Sequence, residues 1–138
     1  MATARDLMTS PAEFLQESDS LTVAAQALKT SNVGSMPVKD DNGKVIGVVT
    51  DRDIVVKSVA EGANPDDARV ADVASSTVVT VSADDDAQAV MQALSENQVR
   101  RLPVLDGEEL VGVISQADVA RELSPEQTGD VVRAISQG

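Results

Sequence analysis

The chain has 138 residues, 11 Lys plus Arg against 23 Asp plus Glu, a single aromatic residue (Phe14), and neither His nor Cys. Imidazole bases, thiolate nucleophiles, Cys/His zinc sites and disulfides are therefore excluded, and without Trp or Tyr the stacking platforms used by single-stranded nucleic acids are missing. The formal charge of −12 opposes phosphate backbones, while an apolar set dominated by 22 Val and 18 Ala predicts one compact core, or two small units, built from small branched side chains.

From the N-terminus, Met1 to Asp6 leads into no apolar run of signal-peptide length, and no stretch approaches the roughly 20 apolar residues of a membrane span. The expected location is the cytoplasm, with neither membrane nor nucleic acid as a partner. The acidity fits either a salty interior or ordinary solubilising charge. A short strand is expected around Glu13 to Leu15. Ser20 then has the chemistry of an N-cap ahead of Leu21, Ala24 and Leu28 at helical spacing. Met36 to Val38 and Val45 to Val49 read as strands joined through Asp40-Asp41-Asn42-Gly43, where Asn-Gly suits positive φ. A second helix begins near Asp53. Residues 61–67 carry loop signals and a helical turn, with Asn64 as cap and Pro65 at its first position.

The series then repeats at an offset of 66: Arg5-Asp6-Leu7 matches Ala71-Asp72-Val73, Leu28 matches Leu94, and Val33-Gly34-Ser35-Met36-Pro37-Val38 matches Val99-Arg100-Arg101-Leu102-Pro103-Val104. One residue sooner, Val45-Ile46-Gly47-Val48-Val49-Thr50-Asp51-Arg52-Asp53 matches Leu110-Val111-Gly112-Val113-Ile114-Ser115-Gln116-Ala117-Asp118. In the second copy Val78 to Val81 is the early strand, Asp86 the cap before Ala87, Val90, Met91 and Leu94, and Asp106-Gly107 the hairpin turn. The fold class is α+β: two β-α-β-β-α units, 1–63 and 64–123, each marginal alone and so packed by a pseudo-twofold into one globular module. Over 124–138, Ser124-Pro125-Glu126-Gln127 has the form of a capping box before a helical stripe of Val131, Val132 and Ile135.

These motifs, in order and in duplicate over nearly the whole chain, resemble a tandem pair of cystathionine-β-synthase-type (CBS) domains, a Bateman module. Asp-Arg-Asp-Ile at 51–54 and Val-Arg-Arg-Leu-Pro-Val at 99–104 resemble stand-alone prokaryotic members of the hypoxic- or dormancy-response type. The resemblance implies repeats packed through their sheets, a homodimer, and an adenosine ligand (AMP, ADP, ATP or a related adenosyl compound) in a cleft between the repeats. It further implies that the hydroxyls of Thr50 and Ser115 lie near phosphate and the carboxylates of Asp53 and Asp118 near the ribose hydroxyls. Met36, Pro37, Leu102, Pro103 and Val79 join the ligand-binding set.

Residue chemistry supports the pairs independently. A hydroxyl at a strand end ahead of a helix suits an anion, and a carboxylate three residues on can accept both hydrogen bonds of a cis-diol. The same spacing is also ordinary helix capping, so each pair has two readings. The second copy offers guanidinium forks for a phosphate at Arg100 and Arg101, where the first offers mainly Arg52; the resemblance, in which a basic residue commonly stands just before this Pro-Val strand, makes Arg101 the better candidate and Arg100 the alternate. As a competing reading, the two arginines balance Asp106, Glu108 and Glu109 on the surface. Glu13 departs from the pattern and would repel phosphate if it faced the cleft. Asp84-Asp85-Asp86 reads as helix-start acidity rather than a metal site. The expected function is a non-enzymatic regulatory sensor with no obligatory cofactor, acting on an effector protein. The alternative is a ligand-independent module that dimerises and recruits a partner. A hydrolase using Thr50 or Ser115 lacks an orienting third group.

Overall fold

The computed structural model describes residues 2–76 and 78–121, and the helix expected in 124–138 lies outside the described residues. Caps and apolar spacing account for the two long helices. The Ser20 hydroxyl accepts from the Val23 N–H at 3.1 Å and opens α2 (Leu21–Ser31), which buries Leu21, Ala24 and Leu28. The Asp86 carboxylate accepts from the Ala89 N–H at 2.8 Å and opens α5 (Ala87–Asn97), which buries Ala87, Val90 and Leu94. Both helices stop on a left-handed residue, Asn32 at φ 55° and Gln98 at φ 52°. That conformation closes the last turn but is costly for a residue with a Cβ.

In the unit spanning 13 to 78, β2 (Ser35–Lys39) pairs antiparallel with β3 (Val45–Thr50), and β1 (Leu15–Gln16) adds to β2 in parallel. The other unit repeats this order with β4 (Val81–Ser82), β5 (Arg101–Asp106) and β6 (Glu109–Ser115). The architecture is thus α+β with two three-stranded mixed sheets. Pro37 is tolerated in a central strand because β1 is short and pairs only with Val38 and Lys39, beyond the proline. In the β2–β3 turn only Gly43 takes a positive φ (81°). Asn42 does not need one, because the Asp40 carboxylate accepts from the N–H groups of Asn42 and Lys44 at 2.9 and 3.0 Å and holds the loop itself.

Helix α3 (Asp51–Ile54) leaves β3 directly, two residues ahead of the expected start, and continues as a π-helical turn over Val55–Val59. Its counterpart α6 (Gln116–Ala120) leaves β6 in the same way. The connector forms the expected capped turn, with the Asn64 side chain accepting from the Asp66 N–H at 3.0 Å.

Two short helices were not legible in the pattern: α1 (Ala4–Leu7) and α4 (Val70–Val73). Each begins with a carboxylate that accepts from a backbone N–H three residues earlier, Asp6 from Thr3 and Asp72 from Arg69, both at 2.9 Å. Their packing moves the unit boundaries. Val70 and Val73 are buried with Leu15, Leu21, Val38 and Val49, whereas Ala4 is buried with Leu94, Leu102, Val104 and Ile114. One unit accordingly takes residues 13 to 78, and the other joins residues up to 12 with those from 79 onward. The boundary between 63 and 64 drawn from the repeat is not where the compact units part, because each leading segment packs on the opposite copy.

Two glycines admit those segments. Bridges Val48↔Ser75 and Thr9↔Val113 add a crossing segment beside β3 and β6. A Cβ on Gly47 would collide with the Ser75 carbonyl oxygen, and one on Gly112 would meet the Met8 side chain and stand 3.0 Å from the Thr9 oxygen.

Candidate functional site

Each sheet ends where a strand passes straight into a helix, and the turn is built as a reciprocal cap. The Thr50 Oγ1 accepts from the Asp53 N–H at 3.0 Å, while Asp53 Oδ2 accepts from the Thr50 N–H at 3.0 Å. Ser115 and Asp118 repeat the exchange at 3.2 and 2.8 Å. The capping reading is therefore realised in both copies, and it leaves the binding reading intact. A hydroxyl that accepts from a backbone N–H keeps its own proton free to donate. Each carboxylate oxygen keeps a second lone pair, even though Asp53 Oδ1 also meets Lys57 Nζ at 3.2 Å and Asp118 Oδ1 meets Arg121 Nη2 at 2.6 Å.

Strand register sets the two arginines apart. Arg101 lies directly opposite Ser115 across the β5–β6 ladder, so their side chains share one face at the end of that sheet. Arg100 stands outside the strand, where its carbonyl oxygen accepts from the Gln116 N–H at 2.9 Å. Neither guanidinium has a hydrogen bond or ion pair among the described residues. The surface-balance reading fails at Asp106, which pairs with Arg5 at 3.2 Å. In the first copy Ser35 is the residue opposite Thr50. Arg52 is exposed on the first turn of α3, between Asp51 and Asp53.

Several expected lining residues face elsewhere. Met36 and Leu102 are 4% and 1% exposed and belong to the two hydrophobic cores, and Val79 packs against the core around Leu102. The reason is the period of two: Met36 alternates with Ser35, Leu102 with Arg101, and Val79 keeps step with the buried Val81. These three support the sheet ends from behind. Pro37 and Pro103, also buried, alternate onto the face that carries Ser35 and Arg101. Glu13 is turned aside as well, accepting a hydrogen bond from the Ser31 hydroxyl at the end of α2. Phe14 is a surface feature that sequence reasoning passed over. It stands one residue ahead of β1, next to the buried Leu15, 40% exposed, with Lys39 Nζ 3.9 Å from its ring centroid. The signal was available: the chain's one aromatic stands next to a core leucine.

The acidic triplet disperses as its spacing implies. Asp84 lies 3.8 Å from Arg5, Asp85 accepts from the Ser82 N–H, and Asp86 caps α5. Among the described residues no group of three or more acidic side chains could hold a metal ion. On the helical side of the 13–78 unit a cavity of about 570 Å³ opens between α2 and α3, lined by Leu28, Lys29, Asn32, Asp51, Ile54 and Val55 among others. None of the residues expected to bind ligand lines it.

Four similarities bear on these features. The family model described as CBS domain matches residues 4–59 and 70–125. Hypoxic response protein 1 of Mycobacterium tuberculosis is 36% identical over 135 residues, which cover 98% of this chain and 94% of that protein. A crystal structure of Hypoxic Response Protein I with two coordinated zinc ions matches with a TM-score of 0.81, covering 89% of this chain and 100% of that one. With neither His nor Cys in the sequence, that neighbour's zinc finds no obvious set of ligands among the described residues here. The structure of CBSX2 in complex with AMP matches at 27% identity and a TM-score of 0.76, covering 88% of this chain and 96% of that one.

Proposed function

The chain belongs to the CBS-domain family as a tandem pair, and from that premise we propose that it is a regulatory sensor of an adenosine nucleotide rather than an enzyme. The observation that carries this reading is the second sheet end. There an unpartnered Arg101 lies directly opposite Ser115, whose hydroxyl proton is free, beside an Asp118 carboxylate with spare lone pairs. Guanidinium and hydroxyl donate to a phosphate, while the carboxylate accepts from a ribose diol. The AMP bound by CBSX2 supports the choice of ligand class. Binding would act by favouring one of two arrangements read by a partner protein in the cytoplasm, which requires different affinities for the two. No helix among the described residues is long and apolar enough to cross a membrane.

We further propose that the protein functions as a homodimer. Val55, Val56 and Val59 are 56%, 46% and 57% exposed along the π-helical turn, beside the α2–α3 cavity, which favours a second copy on that face. The ligand-independent reading needs only this surface.

Thermal unfolding followed by circular dichroism, against AMP, ADP, ATP, S-adenosylmethionine, NAD and cyclic dinucleotides, tests the sensor. Ligand at 100 times its dissociation constant adds about 2.7 kcal/mol, a rise of several degrees in midpoint. One adenosine compound should produce that rise in wild type and not in Asp118→Ala. If none does at millimolar concentration while the protein still binds its partner, the ligand-independent module replaces the sensor.

A further inference from the structure

The copies also differ on their helical side. In the unit spanning 13 to 78, the groove of about 570 Å³ between α2 and α3 is lined by the buried Leu28 and Ile54 and by the exposed Val55. Lys29, Asn32 and Asp51 stand around these apolar side chains. Neither the Lys29 ammonium nor the Asn32 amide has a hydrogen bond or ion pair among the described residues, and Asp51 commits one oxygen, Oδ1, to the Arg52 N–H at 2.8 Å.

The second copy shows which of these features the fold itself requires. Through the repeat, Lys29 corresponds to Ser95, Asn32 to Gln98, Gly34 to Arg100 and Asp51 to Gln116. The same pair of helices forms there without a cation at 95 or an anion at 116, so Lys29 and Asp51 are not needed to build α2 and α3. Gly34 adds room. Its missing Cβ leaves Asp51 Oδ2 uncovered, since a Cβ there would stand 3.5 Å from that oxygen. The left-handed Asn32 ends α2 at the groove, so the negative end of that helix dipole lies there as well.

A ligand that answers this lining carries a cation for Asp51 and the α2 terminus, an anion for Lys29, and an apolar body for Leu28, Ile54 and Val55. Its own charges cancel, so the net charge of −12 does not repel it as it repels a free anion. The volume falls within the roughly 300–1,000 Å³ of small-molecule sites. We propose that this groove binds a small aliphatic zwitterion, an α-amino acid with a branched apolar side chain or a dipeptide of such residues. The site does not depend on the adenosine reading, and it shares Val55 with the face proposed above for a second copy.

Isothermal titration of the full chain with L-leucine and leucyl-leucine, and with the N-acetylated and C-amidated forms of each, tests the site. A zwitterion should bind once per chain with saturable heat, and the tighter of the two gives the size of the ligand. The acetylated form, which lacks the cation, and the amidated form, which lacks the anion, should each bind at least tenfold more weakly. Exchanges that install the second copy's own residues suit the fold, and circular-dichroism melting checks that each variant is folded. Lys29→Ser should erase the preference over the amidated form, Asp51→Gln the preference over the acetylated form, and Gly34→Arg should abolish binding. No saturable heat from either zwitterion at millimolar concentration, or equal binding of all three forms, would overturn the site. If the zwitterions fail to bind and Gly34→Arg lowers the sedimentation mass, a second copy fills the groove instead.

Discussion

The two units hold the same caps, strand order and register, yet Ser35 faces Thr50 where Arg101 faces Ser115, and Leu28 borders a cavity where Leu94 is sealed. What the copies keep is what closes a backbone: Thr50/Asp53 and Ser115/Asp118 at the strand–helix turns, Gly47 and Gly112 under the crossing segments. What they change is what those turns present to solvent. Similarity between the copies therefore reports on folding, and the differences between them are where ligand chemistry should be sought.

The largest separation between the units is expected in their cores. Leu94 is fully buried and Leu28 is 6% exposed beside open space, so Leu94→Ala should cost about 3–5 kcal/mol and Leu28→Ala nearer 2 kcal/mol. Urea unfolding followed by circular dichroism measures both, and equal losses would mean that the cavity beside Leu28 closes in solution.

The glycines sharpen the comparison next. At Gly47 an added methyl meets a backbone oxygen that cannot move without breaking the Val48↔Ser75 bridge, whereas at Gly112 the nearest atoms belong to the flexible Met8 side chain. Gly47→Ala should destabilise by about 1–3 kcal/mol and Gly112→Ala by less. The reverse order in urea midpoints would show that the Met8 contact is the tighter of the two.

A smaller effect of opposite sign is expected at the helix ends. Gln98 holds a left-handed conformation that glycine adopts freely, so Gln98→Gly should stabilise by about 0.5–1 kcal/mol. Asn32→Gly should gain less, since asparagine tolerates that region better. A loss on Gln98→Gly would mean that the glutamine side chain contributes more than its backbone costs.

The smallest concerns α1. The Thr3 N–H, and after it the Thr3 hydroxyl, donate to Asp6 and lower its pKa from the ordinary aspartate range. Because the folded value is the lower one, this contribution is complete above the ordinary value of about 3.9 and is lost as pH falls through the folded value beneath it. The melting midpoint of wild type should exceed that of Asp6→Asn at pH 6, and the gap should close as acidification carries the pH through the lowered folded value. A gap that persists in acid would assign the effect to something other than the charge.

Much of this fold is local and therefore legible. A helix announces itself through caps and a 3.6 period, as at Ser20 with Leu21, Ala24 and Leu28. A hairpin does so through its turn, and a duplication through its offset. The Thr50/Asp53 and Ser115/Asp118 pairs were readable for the same reason, since cap chemistry spans three residues. Tertiary structure alone decided that α1 packs with the second copy and α4 with the first, because four-residue helices have no preference until distant apolar residues bury them. It also placed Arg101 opposite Ser115, sent Met36, Leu102 and Val79 into the cores and turned Glu13 toward Ser31. In a strand every other side chain points the opposite way, so the face a residue serves depends on a register that pairing partners far along the chain set.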